Sequence, residues 1–459
     1  MKVLIINSPL FRDRNELYDE DSLPPIGLGY IATKLQNDGN DVKLIDAIDQ
    51  RIPLIELISI IESENPDFLA TNIFTTNYEL VKELIESIFL KTHIIIGGLS
   101  TKELCKHIIN WHTNNHIDVV MGDGEWITSD IIKAELIEKP IIELPNRRVF
   151  KADGCSKYFV QNISTIPLNR GLFTNEPVKH PLGFTEANIV TSRGCIYDCT
   201  FCAAARSLNR ESPIREKSEE FIKQELQEII TQFPEVNSIR VLDDLFLKTK
   251  NTVEKAINSF SGFNLQWRSM AHVMTFHHVE EEVMNRLKAS GCFELFIGIE
   301  SGSPKILKSI NKTHNISTIV TNLTKVFKAG INVKGYFIYG FPGETKEDME
   351  MTYELAKELK NISVKYDSNF RTSVFQYRPY HATEIYHDLK DKGININVEQ
   401  VTGNQELSDL VGRMQFNFHS GNYSDVAYDI VHDYIYRTIN LNEGKIFSNL
   451  KPNEFPRNL

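Results

Sequence analysis

Short apolar runs recur along the first third of the chain, spaced so that one helix fits between neighbours. The first is KVLIIN, Lys2 to Asn7, ending on Ser8-Pro9. DVKLID (41–46), DFLATNIF (67–74), HIIIGG (93–98) and DVVMG (118–122) repeat it. Between them the period changes. IGLGYIATKLQNDG sets its apolar residues at helical spacing and stops at Gly39, and NYELVKELIESIFL follows the same rule. Near-continuous apolar strands alternating with helices predict a parallel, doubly wound sheet over residues 1–145. Ligands of such sheets lie at the carboxyl ends of the strands. Those ends are Asn7-Ser8-Pro9, Thr71 to Thr76, Gly97-Gly98 and Gly122-Asp123-Gly124-Glu125. Glycine there serves equally for a tight strand-to-helix turn or for close approach of backbone to a ligand. No G-x-G-x-x-G follows the first strand, which argues against a dinucleotide.

Residues 146–184 hold LPNRRVF, IPLNRG and NEPVKHPLG, whose Pro, Asn and basic residues read as an ordered connector. Strand candidates resume at ANIVT (187–191), SIRVL (238–242), LQWRSM (265–270), ELFIGI (294–299), VKGYFIY (333–339) and TSVFQY (372–377). The clearest helix between them is SEEFIKQELQEIITQF. Ser218 caps it, Glu219 and Glu220 suit its first turn, and Phe221, Ile222, Leu226, Ile229 and Ile230 make one apolar face. Six βα units over 185–390 predict a partial barrel with its chemistry at the strand C-termini. The predicted class is therefore α/β throughout: a doubly wound sheet, a partial (βα)6 barrel, then a mainly helical extension over 391–459. In that extension QFNFHSGNYSDVAYDIVHDYIYRTINL carries Tyr423, Tyr428, Tyr434 and Tyr436 with Val426, Ile430 and Ile435, a stripe that reads as packing.

Composition excludes several classes. The chain has 459 residues, 41% hydrophobic and 24% charged, as in ordinary soluble proteins. No apolar run approaches the roughly 20 residues of a membrane span. A net charge of −11 speaks against a general nucleic-acid binder. MKVLIINSP reads as a first strand and not as a secretory signal. Six cysteines suit a reducing cytoplasm better than a disulfide framework. His107, His112 and His116 sit among asparagines and read as solvated; Cys292 reads as a buried structural thiol and Cys155 as an exposed one.

Three of the cysteines carry the strongest signal. TSRGCIYDCTFCAAA places Cys195, Cys199 and Cys202 in a C-x3-C-x2-C run directly after the first barrel strand. Three thiolates this close hold three irons of a four-iron cluster and leave the fourth open to a small molecule. A closed zinc site wants four ligands, and no further His or Cys stands nearby. Polar groups gather at the other strand ends: Asp243-Asp244, Arg268, Glu300-Ser301 and Tyr339 to Glu344. Each has a bland reading as a cap or surface residue; six such ends around one cysteine trio make the joint coincidence less plausible.

The run Cys195-x3-Cys199-Thr200-Phe201-Cys202, followed in order by VLDDLF (241–246), GIESGS (298–303) and YGFPGET (339–345), resembles the radical S-adenosylmethionine (SAM) enzymes. The first part, with IINSP, a Gly-Gly pair after the fourth strand and VVMGDGE (119–125), resembles the cobalamin-binding domain of one branch of that family, without the D-x-H-x-x-G string of some cobalamin enzymes. The resemblance implies that Cys195, Cys199 and Cys202 ligate a [4Fe–4S] cluster. It implies SAM contacts from Phe201, Asp243, Asp244, Arg268, Glu300, Ser301, Gly340 and Tyr377. It implies cobalamin contacts from Ser8, Pro9, Thr75, Gly97, Gly98, Gly122, Gly124 and Glu125. The implied reaction is reductive cleavage of SAM to a 5′-deoxyadenosyl radical, for cobalamin-dependent methylation of an unactivated carbon of a small molecule or peptide, with an electron donor such as flavodoxin or ferredoxin. The alternative is ring formation, rearrangement or oxidation without methyl transfer. A methylthiotransferase acting on tRNA has a similar layout but needs a second cysteine trio in the first domain, where only Cys105 and Cys155 stand. At the sixth strand exit, where a P-G-T turn is common, this chain has Tyr380-His381-Ala382-Thr383.

Overall fold

A computed structural model describes residues 1–9, 23–179, 183–313, 315–396, 399–400, 418–419 and 421–442. The first sheet is built from β1 (Lys2–Asn7), β2 (Asp41–Asp46), β3 (Phe68–Asn72), β4 (His93–Gly97), β5 (His116–Gly122), β6 (Ile142–Leu144) and β7 (Arg147–Ala152). Its order is β2-β1-β3-β4-β5-β7-β6, parallel except for the edge strand β6. Helices α1 (Ile26–Asn37), α2 (Leu54–Glu64), α3 (Tyr78–Glu86), α4 (Thr101–Ile108) and α5 (Glu125–Lys133) cover both faces. The apolar runs do what their pattern demands: Val3, Leu4, Ile5 and Ile6 are all buried, alternating between two cores on opposite faces.

The sheet runs beyond residue 145, into the stretch expected to be connector. Pro145-Asn146, with Asn146 at φ 59°, turns β6 back as β7, which pairs with β5. Its arginines hide the strand from a hydropathy reading. Arg147 is spent on the carbonyls of Thr113 (2.6 Å) and Asn115 (2.7 Å), and Arg148 grips Asp118 with two nitrogens (2.8 and 2.6 Å). Asp118 also takes His93 Nε2 (2.8 Å) and His116 Nε2 (3.0 Å). His116 is thus a half-buried strand residue, not the solvated one expected.

The second sheet holds β8 (Val178–Lys179), β9 (Thr185–Ile189), β12 (Ser238–Val241), β13 (Gln266–Ala271), β14 (Cys292–Glu300), β15 (Asn332–Tyr339) and β16 (Phe370–Gln376). Its order is β16-β15-β14-β13-β12-β9-β8. Six strands from β9 to β16 are parallel, the expected partial barrel, with β8 antiparallel at one edge. A small ribbon, β10 (Ser192–Arg193) with β11 (Arg215–Glu216), stands at the exit of β9. Helices α6 (Glu219–Gln232), α7 (Lys250–Phe260), α8 (Glu281–Ala289), α9 (Pro304–Ser309), α10 (Ile316–Lys328) and α11 (Lys346–Lys365) return the chain between strands. In α6, Ser218 caps by accepting from Phe221 N–H, and Ile222, Leu226 and Ile229 are buried. Phe221 instead is 40% exposed, one position off the buried stripe. After α12 (Glu384–Asp391), α13 (Tyr428–Ile439) packs on α11 and β16, burying Val431, Tyr434 and Ile435. Of the expected extension over 391–459, residues 397–398, 401–417, 420 and 443–459 lie outside the described residues.

Candidate active site

The cysteine loop leaves β9 and is held at its start by two adjacent carboxylates from the exit of β12. Asp243 accepts from Thr191 N–H, Thr191 Oγ1 and Ser192 Oγ, each at 2.6 Å. Burial pushes its carboxyl above the usual range, and these bonds oppose the shift. Asp243 is therefore fully committed to the loop. Asp244 accepts from Gly194 N–H (2.9 Å) and keeps an exposed position beside the cysteines. Gly194, at φ 94°, lets the chain turn into Cys195.

The three thiols are free and partly exposed as residues. Burial raises all three, Cys202 to about 12, while the Lys312 cation pulls Cys199 back down. Buried thiolates need a cation to hold them, which a metal centre supplies. A single zinc, with Zn–S near 2.3 Å, would draw its sulfurs to roughly 4 Å apart. Among the described residues, only His93, His116 and Asp118 have donor atoms all within 4.8 Å of one another; the cysteine sulfurs are set wider. Three cysteines at this spacing are a donor set that suits a cluster.

Around this loop, Glu300 ends β14 in the left-handed region (φ 66°) and pairs with Lys312 at 2.5 Å. Lys312, buried and close to Cys199 and Cys202, is a site cation that no motif signalled. Phe201 meets Phe341 of the β15 exit turn edge-on (5.7 Å), and Phe341 packs on Tyr377 (4.9 Å), whose buried hydroxyl has no partner among the described residues. Gly340, at φ 94°, donates N–H to Glu344 Oε2 (2.6 Å), as Phe341 does (3.1 Å). Tyr197, inside the cysteine loop, stacks on His272 at 3.8 Å, and burial with the nearby Lys312 cation depresses His272 to about 3. Neither was legible from spacing.

Two expected SAM contacts lie elsewhere. Arg268 stands in the middle of β13, 1% exposed, bound to Glu186 by two bonds of 2.6 Å and to Glu294 at 3.5 Å. It belongs to a charged layer beneath the mouth, with Arg371 also on Glu294 (2.6 and 2.7 Å). Ser301 is fully buried, with its hydroxyl on Thr352 Oγ1 (2.9 Å) and Ser303 N–H (3.1 Å). Both are structural in this arrangement, because neither side chain reaches the mouth.

A cavity of about 350 Å³ opens at the carboxyl ends of β1, β3, β4 and β5. Gly97, Gly98, Gly122, Gly124 and Glu125 line it as expected, whereas Ser8, Pro9 and Thr75 do not. Thr75 reaches across to the barrel instead, its hydroxyl 3.0 Å from His381 Nδ1 and accepting from His381 N–H (3.1 Å). Gly98 and Gly122 have structural duties: a Cβ would lie 2.6 Å from Ile73 O and 2.3 Å from Ala152 O. Gly27 and Gly97 are different. Among the described residues a Cβ on either meets nothing within 4 Å beside the cavity. Mostly apolar walls and these glycines fit part of a large apolar ligand with polar edges, as a corrinoid is.

The far wall of the cavity belongs to the barrel. Val190 and Arg193 line it, and Arg193 stands two residues before Cys195. Arg193 donates to Asp123 Oδ1 (3.0 Å) and Glu125 Oε1 (2.5 Å) and lies 5.6 Å from the Tyr30 ring. Arg215 also pairs with Asp123, and Val160 N–H donates to it at 3.0 Å. The two sheets therefore meet through an ion network directly between cavity and cysteine loop.

Comparison with known proteins agrees with this geometry. Residues 189–356 match the radical SAM superfamily and residues 20–132 the B12 binding domain. The chain belongs to the radical SAM enzymes that carry a cobalamin-binding domain. More particularly, it is similar to "Uncharacterized methyltransferase PH0819" of Pyrococcus horikoshii, 29% identical over 73% of each chain. By structure it resembles the radical SAM methyltransferase TsrM of Kitasatospora setae, solved with cobalamin and a [4Fe–4S] cluster (TM-score 0.64, 13% identity, 100% of this chain and 92% of that one). It also resembles the cobalamin-dependent SAM radical enzyme OxsB (TM-score 0.63, 15% identity, 92% of this chain), of which it spans 64%. Among the described residues no helix is long and apolar enough to cross a membrane.

Proposed function

We propose that this protein methylates an unactivated carbon of a small molecule or peptide, using a [4Fe–4S] cluster, SAM and cobalamin. One observation carries the reading: Arg193 lines the cavity at the first sheet and stands two residues before Cys195, so the two candidate cofactor sites adjoin. When bound, the cluster supplies the electron that splits SAM, and cobalamin supplies a methyl group. The chain does the rest. Cys195, Cys199 and Cys202 hold three irons. Asp243 fixes the loop, and Asp244 faces the site as a carboxylate suited to the SAM ammonium. Glu300 suits ribose hydroxyls, and Lys312 takes the place assigned to Arg268 as the cation for the SAM carboxylate. Phe201, Gly340 and Tyr377 would form the adenine side of the site. The electron comes from a flavodoxin or ferredoxin, and the free thiols suit a reducing cytoplasm.

The test is anaerobic reconstitution with iron, sulfide, hydroxocobalamin, reductant and methyl-labelled SAM, supplied with small-molecule and peptide fractions of a cell extract. Wild type should yield 5′-deoxyadenosine and a labelled product heavier by one CH2; Cys199→Ala should yield neither. Products that lose hydrogen or gain oxygen while the label stays out of them would overturn methyl transfer in favour of radical oxidation or ring closure.

A further inference from the structure

The segment that follows β16 ties the cysteine loop to the rim of the first-sheet cavity by a traceable series of bonds. At one end, Ile385 N–H, in the first turn of α12, donates to the carbonyl of Thr200 (3.2 Å), which stands between Cys199 and Cys202. Thr383 caps that helix by accepting from Tyr386 N–H (3.4 Å) and gives its own proton to the Tyr380 carbonyl (2.8 Å), so helix start and turn are closed on each other. Ala382, inside the turn, holds the left-handed region (φ 68°), which a residue with a Cβ keeps only where its surroundings impose it. At the other end, His381 N–H donates to Thr75 Oγ1 (3.1 Å), and the same hydroxyl lies 3.0 Å from His381 Nδ1. The Tyr78 and Tyr386 rings meet the imidazole edge-on, at 6.2 and 5.2 Å. Thr75 belongs to a turn that is itself closed: Asn77 Oδ1 accepts from Phe74 N–H (2.7 Å), and Asn77 Nδ2 donates to the Asn72 carbonyl (3.2 Å). Asn72 and Phe74 line the cavity. A shift of His381 is therefore passed to the cavity wall through Thr75 and Phe74.

We propose that His381 and Thr75 are positioning residues, whose bonds set the separation between the cavity rim and the cysteine loop. The inference rests on the cobalamin reading and goes beyond it, because neither residue lines the cavity or belongs to the cysteine loop. Methyl transfer needs the two sites in one register, since a displacement of about 1 Å from a change far from the chemistry can cost about a hundredfold in rate. SAM cleavage needs only the cluster and the groups around it, and does not depend on the tie to Thr75.

The full chain is loaded with its cluster and with cob(II)alamin, then reduced with dithionite until both are paramagnetic. Magnetic coupling between them, read by electron paramagnetic resonance, falls steeply with distance and reports their separation without any substrate. Wild type should show one well-defined coupling. Thr75→Val keeps the shape of the side chain but not the hydroxyl, and should weaken or spread the coupling. His381→Ala keeps the backbone donor and should do so to a lesser degree. Thr75→Ser keeps the hydroxyl and should give the wild-type signal. All three variants should cleave SAM to 5′-deoxyadenosine at the wild-type rate. A coupling unmoved in Thr75→Val or in His381→Ala overturns the inference while leaving the cobalamin reading intact. So does a coupling disturbed as much in Thr75→Ser as in Thr75→Val, which would blame the folding of the turn, or loss of SAM cleavage in His381→Ala, which would place that residue in the cluster site. Wild type that takes up cobalamin but shows no coupling also overturns the inference, and wild type that takes up none overturns both it and the cobalamin reading.

Discussion

Replacing Asp123 by Asn tests whether the ion network at the meeting of the two sheets holds them together. Asp123 is 9% exposed as a side chain and serves two guanidinium groups, Arg193 and Arg215, as well as Val160 N–H. Breaking a buried ion pair by removing one partner costs about 3–5 kcal/mol. Several compensations survive here. Arg193 keeps Glu125 at 2.5 Å; Arg215 keeps the Val160 carbonyl (2.8 Å) and the Phe159 ring (4.2 Å); the Asn oxygen still accepts from Val160 N–H. We expect about 2–3 kcal/mol, at or below the bottom of that range. For a unit of 150–250 residues that lowers Tm by roughly 4–12 °C. Scanning calorimetry should place the shift on whichever transition includes the first sheet. Arg215→Met, alone and combined with Asp123→Asn, then closes a cycle whose coupling should exceed about 1 kcal/mol. An Asp123→Asn melt within about 1 °C of wild type, or single costs that merely add, would refute the reasoning.

Two further outcomes follow from the barrel mouth. Burial pushes Glu344 up to about 8 from its ordinary 4.5, so the folded chain holds this proton more tightly than the unfolded one. That contribution is present below about pH 4.5 and is lost as pH rises toward 8; Glu344→Gln, always neutral, should gain stability relative to wild type across that window in thermal melts, and a pH-independent difference would sink the idea. Lys312→Met should still bind iron and sulfide but hold SAM about tenfold more weakly, read from the change SAM causes in the reduced cluster's electron paramagnetic resonance, and unchanged SAM affinity would return Lys312 to a structural role.

The alternating runs made most of the fold legible. β1 and β2 begin and end where the sequence pattern does: β1 is buried from Val3 onward because both faces of the sheet are covered there, while β2, at the edge, alternates exposed and half-buried residues until Ile45. β7 was hidden because Arg147 and Arg148 satisfy their charge on carbonyls and on Asp118, which a hydropathy pattern does not record. The cysteine loop was legible because its spacing is local. Lys312 and His272 were not, since they arrive at the loop from the turn after α9 and from the exit of β13, across more than 70 residues of sequence, and only the folded barrel brings them together. Arg268 misled for the converse reason. Its place on the third barrel strand was right, but the height of a residue along that strand, mouth or floor, depends on which neighbours it pairs with in register, here Glu294 of β14.

Four of the glycines around the first-sheet cavity divide into two kinds, and the division limits how this protein can be reshaped. Gly98 and Gly122 press against the peptide backbone of adjoining turns, so any added side chain there shifts the floor itself. Gly27 and Gly97 border empty space, where an alanine or valine would narrow the chamber without disturbing its frame. Redesign for a slimmer or bulkier guest therefore has two adjustable points and two fixed ones.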